Sequence, residues 1–346
     1  MSIRLFLHKL FHWEYWPFQI LYFPIYFQWL FFAIRSRSLF YFNACNPSLQ
    51  NGGFFMESKK SIYDLIPQQY YPKTELISSA MTWEKLKGFL ENSTLQFPII
   101  AKPDIGLRGA SVKKITNFEE LKQYHAKANF DFLLQEYIPY NHEIGLFYVR
   151  YPQEQHGRIT GIVAKEFLKV IGDGVSTLEV LLLKNPRYAL QLPILRKELG
   201  NQLNEILPLN VSRTLVPYGN HARGAKFLDF SNRITPELTA TFDKICQQID
   251  GFYFGRLDVM YANWADLEEG KNFSIVELNG AASEPTHIYD PKHSLFFAWK
   301  ELFRHQKMMH AISNINYQNG YAFLSFKKGM EQFRLHREHS LKIFTL

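Results

Sequence analysis

Alternation of apolar and polar residues is clearest between Phe254 and Gly280. Phe254-Gly255-Arg256-Leu257-Asp258-Val259-Met260 and Ser274-Ile275-Val276-Glu277-Leu278-Asn279-Gly280 are rich in β-branched and apolar residues. They read as two strands joined by a polar, glycine-containing connection from Trp264 to Asn272. Successive strand side chains point to opposite faces. Leu257, Val259, Val276 and Leu278 form the core-facing set, Arg256 shares a face with Asp258, and Glu277 shares one with Asn279. If the strands pair as a hairpin, three oxygen donors and a guanidinium converge on one spot. Such a set suits Mg²⁺, which binds few protein groups and leaves its other positions to phosphates and water. The same pattern also fits a solvated hairpin face, so phosphate-binding elements must occur elsewhere to give it chemical meaning.

Three further segments supply them. Phe97-Pro98-Ile99-Ile100-Ala101-Lys102-Pro103 reads as a short strand carrying one cation. Asp104 to Val112 is a glycine-containing turn, and Val112 to Ile115 a second strand. Glycines let the backbone approach a ligand closely, and consecutive N–H groups in such a turn can cradle phosphate oxygens. Lys102 adds a point charge, although a strand-turn-strand unit of this kind is also an ordinary hairpin. Phe132-Leu133-Leu134-Gln135-Glu136-Tyr137-Ile138-Pro139 is an apolar strand that turns polar before a proline, with Glu143 shortly after.

The flanks are patterned differently. Tyr15 to Ile34 is twenty residues without a charge, dominated by Tyr, Trp and Phe and bracketed by Glu14, Arg35 and Arg37. That length reaches across a bilayer, but Pro17, Gln19, Pro24 and Gln28 make a poor span, and the aromatics suit a membrane interface. Interfacial contact through residues 11–37, a true span and packing against the protein body all remain open. Asn46-Pro47 and Asn51-Gly52-Gly53 mark turns, and Glu57 to Leu65 reads as a short helix. Gly52, Gly53, Ser58 and Lys59 form either a substrate loop or simply the turn into that helix. From Ser325 the chain is apolar and basic, a final helix with a solvated basic face or a second membrane patch, with Gly329 breaking its pattern.

Composition narrows the classes. The 346 residues, 47% hydrophobic and 21% charged, suffice for a large core split over subdomains. Two cysteines, Cys45 and Cys246, form no disulfide framework and suit a reducing compartment. The net charge of +7 is spread along the chain, and no nucleic-acid motif accompanies it.

The order of these elements resembles the ATP-grasp superfamily, the fold of D-alanine–D-alanine ligase, glutathione synthetase and cyanophycin synthetase, over residues 97 to 300. The resemblance implies an α+β fold in which two α+β subdomains clamp ATP between antiparallel sheets. It implies that Lys102 and Lys165 contact the phosphates and that Gly106, Arg108, Gly109, Ala110 and Ser111 close over them. The hinge Gln135, Glu136, Tyr137 and Ile138 would read the adenine, and Glu143 the ribose hydroxyls. Asp258, Glu277 and Asn279 would hold Mg²⁺, with Mn²⁺ as an alternative, and Arg256 would stabilise the tetrahedral intermediate. Lys165 on the wet face of a strand, and Arg256 as a mere partner of Glu277, are the competing readings. Ile171 to Leu178 resembles a Gly-Asp-Gly turn before a helix, and Gly219 to Ala225 lies where His221 and Arg223 would touch substrate.

The implied domains are an aromatic segment 1–41, a short and atypical N-terminal region 42–96, an ATP-grasp domain 97–310 and a tail 311–346. The implied activity is ATP- and Mg²⁺-dependent joining of a carboxylate to an amine or thiol through an acyl phosphate. The alternatives are a membrane-side enzyme acting on a protein or lipid-linked acceptor, and a nucleotide-binding module without turnover. The expected setting is the cytoplasm or the inner face of the membrane, and nothing in the pattern fixes an oligomeric state.

Overall fold

The computed structural model describes residues 3–106, 111–216 and 224–343. Arg108, Gly109, Ala110, His221 and Arg223 lie outside the described residues. The chain begins with helices α1 (Ile3–Phe11) and α2 (Phe18–Ser36), followed by 3₁₀ turns and α3 (Lys59–Tyr63), which Ser58 caps by accepting from Ser61 N. Strand β1 (Thr74–Ile77) and α4 (Trp83–Glu91) come next, the latter capped by Thr82.

Strands β2 (Ile99–Pro103), β3 (Lys113–Ile115) and β4 (Phe132–Glu136), with α5 (Phe118–Lys127) between the last two, complete a first sheet of order β1-β4-β2-β3. Its pairings are antiparallel, with Ile100 opposite Gln135 and Lys102 opposite Leu133. One face carries Ile99, Ala101, Phe132 and Leu134 into a core with Leu86, Leu90, Leu121 and Tyr124 of α4 and α5. The opposite face presents Lys102, Leu133 and Gln135.

The second sheet receives that face. Strands β5 (His142–Val149) and β6 (Arg158–Glu166) lead to a small unit of β7 (Leu168–Ile171), α6 (Leu178–Lys184), α7 (Pro186–Ala189), α8 (Leu192–Leu199) and β8 (Ser212–Val216). The chain returns through β9 (Lys226–Asp229), α9 (Pro236–Cys246), β10 (Phe254–Tyr261), α10 (Trp264–Glu268) and β11 (Phe273–Asn279). The five-stranded order is β11-β10-β5-β6-β9, again antiparallel. Leu257, Val259 and Ile275 pack under Leu238, Phe242 and Ile245 of α9. On the other face Phe147 and Phe254 pack with Met308, Met309 and Ile312 of α11 (Leu295–Gln318), and α12 (Phe326–Ile343) follows.

Four sequence expectations change in detail. The connection between the paired strands contains α10, capped by Asn263. Val276 is not core-facing: the register slips after Asp258, and a bulge at Val276 turns its carbonyl toward the first sheet. Gly329 does not break α12, because the helix runs through it; there it lies against Phe40, where an added Cβ would sit 2.2 Å from the ring. The uncharged N-terminal run is a helix with Leu21, Ile25, Phe32 and Ala33 buried against the body, and among the described residues no helix is long and apolar enough to cross a membrane.

Candidate functional site

Antiparallel register builds the site. Asp258 stands opposite Glu277 and Arg256 opposite Asn279 across β10 and β11, while Gly145 of β5 faces Asp258 from the other side. Period-two alternation therefore gathers Glu143, Lys165, Arg256, Asp258, Glu277 and Asn279 on one face. Gly145 is required there: a Cβ would lie 3.0 Å from Arg256 Cδ and 3.1 Å from Asp258 Oδ1.

Asp258 is 4% exposed, so the reading of a solvated hairpin face is wrong for it. Its Oδ1 accepts from Arg256 Nε at 2.8 Å, and its Oδ2 accepts from Lys165 Nζ at 2.9 Å and a terminal nitrogen of Arg256 at 3.2 Å. Lys165 also donates to Glu143 Oε1 at 2.6 Å. These four groups sum to zero formal charge, which is how so many ions tolerate burial. Burial alone would raise the Asp258 pKa, but the Arg256 guanidinium and then Lys165 outweigh it and hold the carboxyl well below the usual range. Burial likewise opposes the charge on Lys165, and Asp258 and Glu143 overcome it. Lys165 is thus on no wet face, and the ion partner of Arg256 is Asp258 rather than Glu277. Glu143, expected at the ribose, is engaged by Lys165.

Lys102 approaches from the first sheet. Its Nζ donates to Tyr63 Oη at 2.9 Å, Gln135 Oε1 at 2.8 Å and Val276 O at 3.2 Å. All three acceptors are neutral. Burial therefore pulls its pKa down to about 8, with Glu277 and Asp104 countering in part. Gln135 is itself fixed by donating to Thr74 Oγ1 at 2.7 Å, which leaves its side chain committed to Lys102. Glu136 N donates to Lys73 O at 2.9 Å, and Lys114 Nζ lies 3.8 Å from the Tyr137 ring centroid. Gly106 O accepts from Lys59 Nζ at 3.3 Å, and Ser111 O from the Tyr124 hydroxyl at 2.9 Å.

Lys59 joins the site, 3.8 Å from Glu277 Oε1, on the segment whose pattern fits either a plain turn or a substrate loop. Gly52 and Gly53 seat that segment on the end of β11: a Cβ on Gly53 would come within 2.6 Å of Gly280 Cα. Ala281 N and Ala282 N donate to Gly52 O and Gly53 O. Glu57 follows. Burial pushes its carboxyl up to about 7, with Lys59 opposing and Glu277 adding, and its Oε1 is buried without a hydrogen-bond partner. Sequence reasoning missed Glu57 and Tyr63, which reach Glu277 and Lys102 only through contacts distant in the chain, and Asp104, which it placed only at the start of a turn.

The donor set fits a hard cation. Asp258, Glu277 and Asn279 offer carboxylate and amide oxygens, and the Asn279 Nδ2 is buried with no hydrogen-bond partner among the described residues. An ionised carboxylate offers about four lone-pair sites, and Asp258 spends three on Arg256 and Lys165. Glu277 and Asn279 are the less committed donors. Among the described residues no group of three or more His, Cys, Asp and Glu could hold a metal by itself.

Asp173 of the Gly-Asp-Gly turn accepts from Val175 N and Ser176 N and pairs with Lys184, so it organises the entry to α6.

No family model matches the chain, and no curated protein matches it. Among solved structures it is similar to a bifunctional glutathione synthetase from Pasteurella multocida (14% identity, TM-score 0.37), covering 71% of this chain and 36% of that one. It is similar to the VanG D-Ala:D-Ser ligase from Enterococcus faecalis (13%, TM-score 0.42; 75% and 61%). It is also similar to a D-alanine–D-alanine ligase from Bacillus anthracis (12%, TM-score 0.41; 76% and 69%). The chain thus spans about a third of the synthetase and under two thirds of VanG. These likenesses decide nothing about activity. The chain has an α+β fold built on antiparallel sheets.

Proposed function

We propose that the cleft between the two sheets binds ATP with Mg²⁺ and joins a carboxylate to an amine. The observation that carries this reading is the placement of Lys102 beside Val276, on the hairpin that aligns Asp258 with Glu277 and Asn279. A buried lysine with neutral hydrogen-bond acceptors is only partly compensated by Glu277 and Asp104, and a triphosphate supplies further counter-charge. Glu277 and Asn279, with Asp258, would hold Mg²⁺, which would neutralise charge on the transferring phosphoryl.

On this reading the carboxylate attacks the γ-phosphorus, its bond to the β,γ-bridging oxygen breaks, and ADP leaves. The amine then attacks the acyl carbon and expels phosphate. Lys102 and Lys165 orient the phosphates, and Arg256 offers its guanidinium to the oxyanion, each in a site of low dielectric. Glu57, titrating near 7 beside Glu277, suits the role of accepting the proton that the attacking amine loses. Gly106 to Ser111 would cover the phosphates and Glu136 to Ile138 the adenine, with Glu143 steering Lys165 or the ribose.

The test is ATP-dependent phosphate release screened against amino acids and dipeptides, with hydroxylamine present to capture the acyl phosphate as a hydroxamate. Mg²⁺-dependent hydroxamate formation with one carboxylate class supports the reading. ATP binding without release or hydroxamate from any acceptor, including proteins and lipid-linked carboxylates, would favour a binding module.

A further inference from the structure

The N-terminal helices leave a large apolar face that the proposed chemistry does not use. On α2, Ile20, Phe23, Phe27, Leu30, Phe31 and Ile34 are exposed, with Phe23 and Phe27 at 62% and Ile34 at 70%. Their spacing of three and four residues places them on one side of the helix. The opposite side is committed: Leu21 and Ile25 pack with Ile288, Ala298 and Leu302, and Phe32 stacks on His310 at 4.0 Å. Ile3, Phe6, Leu7, Leu10 and Phe11 repeat the pattern on α1, where no residue is buried. Monomeric soluble proteins rarely expose apolar surface on this scale without using it.

Charge identifies the occupant. Arg4, Lys9, Arg35 and Arg37 are exposed along these helices. The one acid in this stretch, Glu14, is removed from the surface by Arg187, whose terminal nitrogen donates to both its oxygens at 2.7 Å. A second copy docked face to face would set cations against cations, whereas an anionic bilayer complements both the charge and the aromatic surface. Beyond the C-terminal end of α2 lies an open groove of about 820 Å³, lined by Leu30, Ile34, Arg35, Arg37, Tyr317 and Phe326. It continues the same combination of apolar wall and guanidinium toward α12, which exposes Phe326, Met330 and Phe333 beside Lys327, Arg334 and Arg337.

We propose that α1 and α2 lie in the interfacial layer of an anionic bilayer, inserting the Phe23, Phe27, Phe31 and Ile34 face while Arg4, Lys9, Arg35 and Arg37 meet the headgroups. The helix lies on the membrane and does not cross it, since its other face is the wall of the enzyme. It is also tied to the site: the Tyr22 hydroxyl donates to Glu284, whose carbonyl accepts from Arg256. Docking would thus hold the cleft at a fixed height above the lipid.

The test is co-sedimentation of the full chain with vesicles of equimolar phosphatidylcholine and phosphatidylserine, without ATP, so that the outcome is independent of the ligase reading. Binding to these vesicles is expected, with little to pure phosphatidylcholine. The triple substitution F23S/F27S/F31S touches only exposed rings. It should keep the thermal midpoint and lower the partition coefficient by about tenfold for each ring that inserts fully. R35Q/R37Q keeps the apolar face and should lower it by roughly thirtyfold at low salt, about fivefold per lost cation, and less as salt is raised. Absence of binding to anionic vesicles, or equal binding by the triple variant, overturns the proposal. So does light scattering that shows a dimer made monomeric by the triple substitution, which would assign the face to a second copy.

Discussion

Asp258→Asn and Glu277→Gln separate what holds the cleft together from what works in it. Asp258 is 4% exposed and accepts three charge-assisted hydrogen bonds from Arg256 and Lys165. The substitution turns a neutral quartet into one with a net buried cation, which costs about 3–5 kcal/mol. Unfolding entropy of about 2.1 cal/mol/K per residue over 346 residues is about 0.7 kcal/mol/K. The melting midpoint should therefore fall by about 4–7 °C. Glu277 is different: its side chain is 35% exposed and its nearest cation, Lys59, is 3.8 Å away. Such a pair contributes about 0.2–1 kcal/mol, which shifts the midpoint by roughly 1 °C or less. Its loss from the metal site should nevertheless cost about 2.7–4 kcal/mol of barrier, or 10²–10³ in ATP turnover, by analogy with deleting one electrostatic donor. Scanning fluorimetry and coupled phosphate release measure both quantities on the same preparations. Parent-like ATP turnover by Glu277→Gln removes Glu277 from the metal site, and a parent-like melting midpoint for Asp258→Asn removes the buried quartet as a support of the fold.

Lys102→Met should weaken ATP binding by about 10–150-fold, the worth of one hydrogen bond to a charged group, as read by calorimetry. Because Lys102 titrates near 8 in the ATP-free protein, its charge is lost as pH rises. ATP affinity should decline as pH rises above about 8 in the parent and stay flat there in Lys102→Met. Glu57 acts as a base only when ionised, so kcat/KM, which reports the free protein, should climb through about pH 7 and lose that limb in Glu57→Gln. Its folded-state pKa lies above the unfolded value, so the folded state holds the extra proton and Glu57 lowers stability as pH rises from about 4.5 to 7. Chemical denaturation of Glu57→Gln should show a flatter profile across that window. Gly329→Ala gains about 1 kcal/mol of helix propensity but drives a methyl into Phe40. Overpacking costs about 1–3 kcal/mol, so a lower melting midpoint is expected.

The hairpin was legible because period two and β-branched residues state both its pairing and its polar face, and Asp258 does stand opposite Glu277. The bulge at Val276 was not: it slips the register after Asp258, and the apolar pattern of Ile275-Val276 is compatible with either register. Lys165 could be assigned to a strand but not to burial, because its acceptors Glu143 and Asp258 come from two other strands. Glu57 and Lys59 were obscured for a similar reason. A turn of two glycines reads locally as a turn, while its contact with Gly280 joins residues far apart in the chain. The N-terminal helix resisted because a uniformly aromatic segment gives no polar face, and only the tertiary contacts of Leu21, Ile25 and Phe32 reveal which side is covered.

The central claim is that Lys102 and the Asp258/Glu277/Asn279 hairpin together hold a magnesium-bound triphosphate. Calorimetric titration with a non-hydrolysable ATP analogue, with and without Mg²⁺, on the parent, Lys102→Met and Glu277→Gln tests it most directly. Mg²⁺-dependent binding to the parent is expected, weakened at least tenfold by either substitution while the fold is retained. Equal binding by all three proteins, or none by the folded parent, would contradict it.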